Sequence, residues 1–487
     1  MKVNPCLEVA AAAEQNGSAI RLLVVIASYG EKNLVFLKRI IQTYLSMPME
    51  VEVIVISEAA KNLGCEVKVI VGLPSKDPWS LPFAHKPIFM EKLEQCDLFI
   101  YSEDDIQVTH ELIKAFMRVQ KLLQPDEIAG FLRYEIDQHQ KRHFPDVHGC
   151  FHWNAESARR RGASTIAEFT NEHAAFYILT QDQLRRAISS GGFLRPPQEG
   201  RHDLACTAAT DPYINCGFRK VLCISALDQF LIHHMSNRYA GQVGLPFSLF
   251  QEQVKTLMDI SNGTHPASTL CKTESKFLHR KWSKNYYEKP CEDALNLMPD
   301  DAKNILSIGC GWGATEYTLK QRGANVTALP LDSVIGATAA RLGIEVVYGT
   351  LAEGLTSLDD RRFDSVLISN LLHLQPDPGS VLEQCIQFAA PGGTLIIVGP
   401  NFKRLPILIK RALGHGDYRK LGSFEQSGII ACGPRSIAKI FCRAGFRLDV
   451  VKWWNEPDWQ KGCWIKYKKH LGWLTGENWI IRAHRLS

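Results

Sequence analysis

A ten-residue run, Asn304-Ile305-Leu306-Ser307-Ile308-Gly309-Cys310-Gly311-Trp312-Gly313, restricts the fold more than any other part of the chain. Its apolar half reads as a short buried strand. Three glycines at alternate positions then let the backbone bend sharply and lie against a flat ligand that a β-carbon would exclude. The periodic segment Thr315–Lys320 opens a helix directly afterwards. Dinucleotide enzymes use a similar turn, so the turn by itself does not choose the ligand.

The 487 residues are too many for one ordinary core and imply two domains. Hydrophobic content of 45% and charged content of 22% are those of a globular protein, which excludes disordered and fibrous classes. A net charge of +5, spread along the chain, gives no basic surface for nucleic acid. No apolar run is long enough to span a bilayer. The alanine run Ala10–Ala13 lies between Glu8 and Glu14 without a basic start, so no secretory leader is expected and the chain reads as cytoplasmic. The 14 cysteines are scattered without a CxxC pair, which disfavours a disulfide framework and a structural zinc site.

Strand and helix patterns alternate at both ends of the chain. Residues 20–27, Val51–Ile56, Val67–Val71 and Cys96–Tyr101 are apolar or β-branched strands, and Leu34–Tyr44 has helical spacing. Alternation of this kind means a mostly parallel sheet. The Gly-, Pro- and Ser-rich stretch around Gly241–Thr269, with one short amphipathic helix at Leu249–Ile260, marks the junction. The expected division is an α/β domain over 19–245, a linker over 246–271 and a second α/β domain over 272–487.

After the glycine turn come a strand at Asn325–Leu329 with Asp332 just beyond it, a strand at Phe363–Asn370, and another at Pro391–Val398 after a Pro-Gly-Gly turn. This order resembles the class I S-adenosylmethionine-dependent methyltransferases, over roughly residues 275–487. The resemblance implies a seven-stranded sheet, with Gly309, Gly311 and Gly313 around the methionine and ribose parts of S-adenosylmethionine. Relatives often carry an acid at the end of the second strand for the ribose hydroxyls. Pro330 stands there and Asp332 follows two positions on. Tyr348-Gly349-Thr350-Leu351 occupies the loop beside the adenine, where the Thr350 hydroxyl and the Leu351 backbone N–H are the expected contacts. His373, after the fourth strand, resembles a histidine of small-molecule methyltransferases. It reads either as a base for an acceptor hydroxyl or as a structural histidine at a helix start. Pro400–Gly428 resembles the variable segment that covers the acceptor. Its Lys403, Arg404, Lys410, Arg411, Arg419 and Lys420, with Leu405, Ile407, Leu408 and Ile409 between them, suit a phosphate-bearing or lipid-linked acceptor, or a solvated helix face.

The first domain carries its chemistry at Leu98-Phe99-Ile100-Tyr101-Ser102-Glu103-Asp104-Asp105. Three adjacent carboxylates repel unless a cation neutralises them, and hard oxygen ligands at a strand's end suit Mg²⁺ or Mn²⁺ holding a diphosphate. An acidic helix start is the alternative. The triplet resembles the acidic metal motif of GT-A glycosyltransferases, whose domain is a Rossmann-like mixed sheet. That resemblance implies metal contact by Asp105, nucleotide-sugar contacts by Glu103 and Asp104, and further donor contacts by Tyr29, Glu58 and Lys86. It also implies a late histidine that completes the metal shell. In His233-His234 at most one can face the ion, and His234 is preferred. For the catalytic base of sugar transfer Asp211 is the first choice, with Asp203 and Glu199 competing. Asp-Pro is also a common turn former.

The two resemblances together imply one enzyme that adds a sugar from a nucleotide sugar and then O-methylates the glycan or glycolipid product. The alternatives are a silent glycan-binding first domain beside an active methyltransferase, and a small-molecule methyltransferase with an unrelated partner domain. Nucleic acid is not an expected partner, while peripheral membrane contact stays open.

Overall fold

The computed structural model describes residues 19–64, 67–455 and 472–486. The run Ala10–Ala13 with Glu8 and Glu14 lies outside them. The chain divides into two compact units, one of Met1–Glu135, Glu172–Leu222 and Ala226–Arg238, the other of Ile136–Asn171, Cys223–Ser225 and Tyr239–Ser487.

In the first unit, Arg21–Ala27 (β1), Glu50–Ser57 (β2), Lys68–Val71 (β3), Leu98–Glu103 (β4) and Phe176–Thr180 (β5) form a sheet in the order β5-β4-β1-β2-β3. Strands β1 to β4 are parallel, and β5 runs antiparallel to β4. Six consecutive apolar residues of β1, from Leu22 to Ala27, are buried, as a parallel strand covered on both faces requires. The helix Leu34–Leu45 buries Leu37, Ile40, Ile41 and Tyr44, one stripe at helical spacing. Leu231–His234 (β6) lies antiparallel to Ile106–Gln107 and parallel to Leu132–Tyr134. That pairing brings the late histidines back to the carboxyl end of β4.

The second unit is built on Asn304–Cys310 (β7), Asn325–Pro330 (β8), Glu345–Val346 (β9), Phe363–Ser369 (β10), Ala389–Pro400 (β11), Phe446–Trp454 (β12) and Asn478–Arg485 (β13). Their order is β9-β8-β7-β10-β11-β13-β12, with β13 antiparallel to both neighbours. Alternate side chains feed two cores. Leu306, Ile308, Val366, Ile368, Leu395 and Ile397 enter one, while Ile305, Leu367, Ile396 and Val398 enter the other.

The segment expected as a linker, 246–271, contains the helix Phe247–Ser261, whose Phe250 stacks on Phe144 at 4.0 Å. Gln253 of the same helix accepts a hydrogen bond from the Trp153 indole at 3.1 Å. The hairpin of Trp153–Arg161 and Ser164–Phe169 therefore folds with the second unit, although its sequence lies within the 19–245 span. Among the described residues no helix is long and apolar enough to cross a membrane.

Candidate functional site

In the first unit the carboxyl ends of β1 and β4 lie side by side, with Ala27 opposite Glu103. Ser28 therefore meets Asp104, donating to its Oδ2 at 2.6 Å. The Asn33 amide donates to Asp104 Oδ1 at 2.8 Å and to Asp105 Oδ2 at 3.3 Å. His234 Nε2 lies 3.0 Å from Asp105 Oδ2, and its Nδ1 lies 2.5 Å from Glu135 Oε1. His233 points the other way and stacks on Tyr134, with ring centroids 5.0 Å apart.

The charges in this cluster diverge. Burial pushes Glu103 up to about 7, with repulsion from Asp105 adding to it. Burial likewise pushes Asp104 up to about 6, against the hydrogen bonds from Ser28 and Asn33. Burial would depress His234, but its bonds to Asp105 and Glu135 prevail and push it up to about 9. Asp105 is also desolvated, yet the His234 ring holds it below the ordinary carboxylate range. Glu58 accepts from the Gly30 backbone N–H at 2.9 Å, and Tyr29 beside it is exposed. Among the described residues no group of three or more His, Cys, Asp or Glu side chains is arranged to hold a metal ion. Asp105 and His234 are a pair, with Glu135 behind the ring.

Two expected site residues are placed elsewhere. Asp211 stands within the helix Leu204–Ile214, not in a loop, and is fully buried. Its carboxylate is ion-paired to Lys86, which is buried as well. A buried charge survives only when paired, so each explains the other's burial. The competitor Asp203 caps that helix by accepting from the Cys206 N–H at 2.8 Å. Glu199 is exposed. Sequence reasoning missed Ser28, Asn33 and Glu135. The first two follow β1 in the stretch Ser-Tyr-Gly-Glu-Lys-Asn, whereas Glu135 is joined to the cluster only by the return of β6.

In the second unit the glycine turn sits at the carboxyl end of β7. Its glycines are packed against the chain itself. A β-carbon on Gly309 would meet the Leu371 side chain at 2.9 Å, one on Gly311 the Tyr286 carbonyl at 2.3 Å, and one on Gly313 the Ile344 side chain at 2.9 Å. The Tyr286 carbonyl accepts from the Trp312 N–H at 2.9 Å, and the Tyr286 N–H donates to the Gly149 carbonyl at 2.7 Å. A strap through Lys284–Tyr286 thus lies across the turn.

Asp332 caps the helix Ser333–Arg341, its Oδ1 accepting from the N–H groups of Val334 and Ile335, both at 2.8 Å. Its buried Oδ2 has no hydrogen-bond partner and lies 3.6 Å from His152 Nδ1. His152 stacks face to face on Tyr286 at 4.3 Å. The adenine-loop contacts are spent. Thr350 closes a capping box with Glu353, and the Leu351 N–H donates to the Leu270 carbonyl at 2.9 Å. The helix cap engages the Thr350 hydroxyl, and the Leu270 carbonyl engages the Leu351 N–H.

His373 is 2% exposed, and its Nε2 lies 2.8 Å from the Trp282 carbonyl. That contact assigns the proton to Nε2 and leaves Nδ1 an unprotonated acceptor, which has no partner. Burial pulls its pKa down to about 4 against the Trp282 bond, so the ring is neutral near neutral pH. Ser369 Oγ, at the end of β10, is also buried without a partner. Lys284, wholly buried, donates to the Ser369 carbonyl at 2.8 Å and to Glu288 at 2.6 Å. Three unsatisfied buried atoms therefore gather at the carboxyl edge of this sheet, where ligands bind in open α/β folds.

Residues 306–397 match the family described as a methyltransferase domain. The chain is 32% identical over 132 residues to a ubiquinone biosynthesis O-methyltransferase of Pseudomonas aeruginosa (strain UCBPP-PA14), covering 24% of this chain and 57% of that one. It is 31% identical over 144 residues to the protein of the same description from Azoarcus sp. (strain BH72), covering 26% and 62%. The chain thus spans a little over half the length of the curated relatives it matches. A solved S-adenosylmethionine-dependent methyltransferase from Archaeoglobus fulgidus aligns at 20% identity over 38% of this chain and 87% of that one, with a TM-score of 0.30. Within the C-terminal part of the chain, residues 306–397 are thus similar to a methyltransferase domain.

Proposed function

We propose that the second unit transfers a methyl group from S-adenosylmethionine to a sugar hydroxyl, and that the first unit transfers that sugar from a nucleotide sugar. The observation that carries the methyltransferase reading is the glycine turn at the end of β7, inside the matched span, beside the buried atoms Asp332 Oδ2, Ser369 Oγ and His373 Nδ1, which have no hydrogen-bond partner. Such atoms are costly unless a polar ligand meets them, so the residues present fit the cofactor. When bound, S-adenosylmethionine supplies an electrophilic methyl on a sulfonium. Asp332 Oδ2, which has no hydrogen-bond partner, would accept a hydroxyl hydrogen of the ribose. Neutral His373 accepts the acceptor's hydroxyl hydrogen at Nδ1 and orients it. With its pKa depressed it is a weak base, and positioning supplies most of the rate.

For the first unit, the support is the cluster of Ser28, Asn33, Asp104, Asp105 and His234. Asp105 Oδ2 and His234 Nε2 are near enough to share one divalent cation, and a carboxylate on the far ring nitrogen is the usual backing of a metal-bound histidine. They fit Mn²⁺ or Mg²⁺, which would neutralise a diphosphate, provided that the diphosphate and water fill the remaining positions. The burial of Asp211 in its pair with Lys86 favours a second reading, in which the first unit binds glycan without transferring sugar. Mass spectrometry of reactions with nucleotide sugars, Mn²⁺, a glycan acceptor and S-adenosylmethionine separates the two. Sequential gain of a sugar and a methyl on it supports the bifunctional reading. Methylation of a supplied glycan with no sugar added under any donor supports the second, and a methyl on neither defeats both.

A further inference from the structure

The helix Leu405–Ala412, which follows β11, buries one side chain only, Ile407. Ile407 enters a cluster with Phe277, Leu374, Phe402, Leu421 and Ile429, and this anchors the helix to the fold. The rest of its apolar surface faces outward. Leu405 is 48% exposed, Leu408 37%, Ile409 49% and the capping Leu413 72%. At 100° per residue these four, with Pro406 and Ala412, occupy an arc of roughly 160°, while Ile407 lies on the opposite side. Four large aliphatic residues exposed within nine positions is not the scatter of single apolar residues that ordinary surfaces show.

The edges of this arc are basic. Lys403 and Lys410 flank one side and Arg404 and Arg411 the other. Arg419 and Lys420 follow, and between 403 and 420 the only acid is Asp417. Among the described residues, carboxylates engage Arg404 (by Glu477) and Lys420 (by Asp417). The Lys410 ammonium lies 5.0 Å from the centre of the Tyr418 ring. An apolar face rimmed by cations, held on the fold by a single inward anchor, is the arrangement of a helix lying in the interface of an anionic bilayer. Lysine and arginine stems at the rim reach lipid phosphates while their aliphatic parts extend the apolar face. A second copy of this chain would bring the same cations together, so charge favours the lipid.

We infer that the Leu405–Leu413 face docks on an anionic membrane surface, with Leu405, Leu408, Ile409 and Leu413 in the acyl boundary and Lys403, Lys410, Arg411 and Arg419 on headgroup phosphate. The inference rests on this surface and not on the proposed reactions, so either can fail alone. It is tested by sedimenting the full chain with vesicles of phosphatidylcholine alone and of phosphatidylcholine mixed with phosphatidylglycerol. Two variants are compared, Leu408→Gln/Ile409→Gln/Leu413→Gln and Lys410→Glu/Arg411→Glu. All the changed side chains are exposed, and an unchanged melting temperature verifies the fold. The expected result is binding to the mixed vesicles at least tenfold above the neutral ones, weakened by salt and lost in both variants. Binding that is absent, indifferent to phosphatidylglycerol or unchanged in the variants overturns it. So does a concentration-dependent dimer that the Gln variant dissociates in the absence of vesicles, since a second copy would then be the occupant.

Discussion

His234 sits between Asp105 and Glu135, and a single proton decides what it can do there. Held as an imidazolium near neutral pH, it is an ion-pair partner; deprotonated, it offers Nε2 to a cation. If the pair serves a divalent ion, Glu135→Gln lowers metal-dependent sugar transfer by about 10–100-fold through weaker metal affinity, and added Mn²⁺ restores part of it. Failure of excess Mn²⁺ to restore any activity in the folded variant would count against the metal role. His373 makes a prediction about stability. Its pKa is depressed from 6.5 to about 4 in the folded chain, so the unfolded chain takes up the proton first as pH falls. Stability from this residue is complete above 6.5 and declines as the pH drops towards 4. Thermal melts over that range are expected to fall less steeply for His373→Asn than for the unchanged protein, and equal slopes would contradict the neutral buried ring.

The elements that sequence located best are those whose burial repeats along the chain. The strands β1, β2, β7, β8 and β10 are continuous apolar runs, and the glycine turn is a local signal, so each was legible without knowledge of its neighbours. Helix starts were less so. Asp-Pro at 211–212 is a common turn former, but here Asp203 caps a helix that runs through Pro212. The adenine contacts of Thr350 and Leu351 are expected from resemblance alone, whereas the Thr-x-x-Glu spacing of Thr350 and Glu353 is the local signature of the capping box that engages the hydroxyl. At Gly311 the close neighbour is the Tyr286 carbonyl of this chain, supplied by a strap 25 residues earlier in the sequence. Gly311→Val must push that strap away, with an expected loss of about 1–3 kcal/mol in the second unit. Chemical denaturation measures it, and a change within error would mean that the strap is not held against the turn.

At the scale of the whole molecule, the second unit draws on sequence from within the first. Trp153, Gly149 and the helix Phe247–Ser261 belong to the same unit as the sheet that begins at Asn304, and no local pattern announces an alliance across so long a separation. A chain truncated to begin at residue 272 lacks the Gly149 carbonyl that holds Tyr286, along with His152 beside Asp332. It is expected to melt at a lower temperature than the full chain and to bind S-adenosylmethionine more weakly. Equal melting and equal affinity would show that Ile136–Asn171 is dispensable to the second unit. The central claim, that the carboxyl edge of the seven-stranded sheet holds S-adenosylmethionine, is tested most directly by titrating the full chain with S-adenosylhomocysteine in a calorimeter. The account predicts saturable one-site binding, reduced at least about tenfold by Asp332→Asn, which loses a carboxylate acceptor for the ribose hydroxyls. A folded chain that gives no binding heat at millimolar ligand, at more than one temperature, would contradict it.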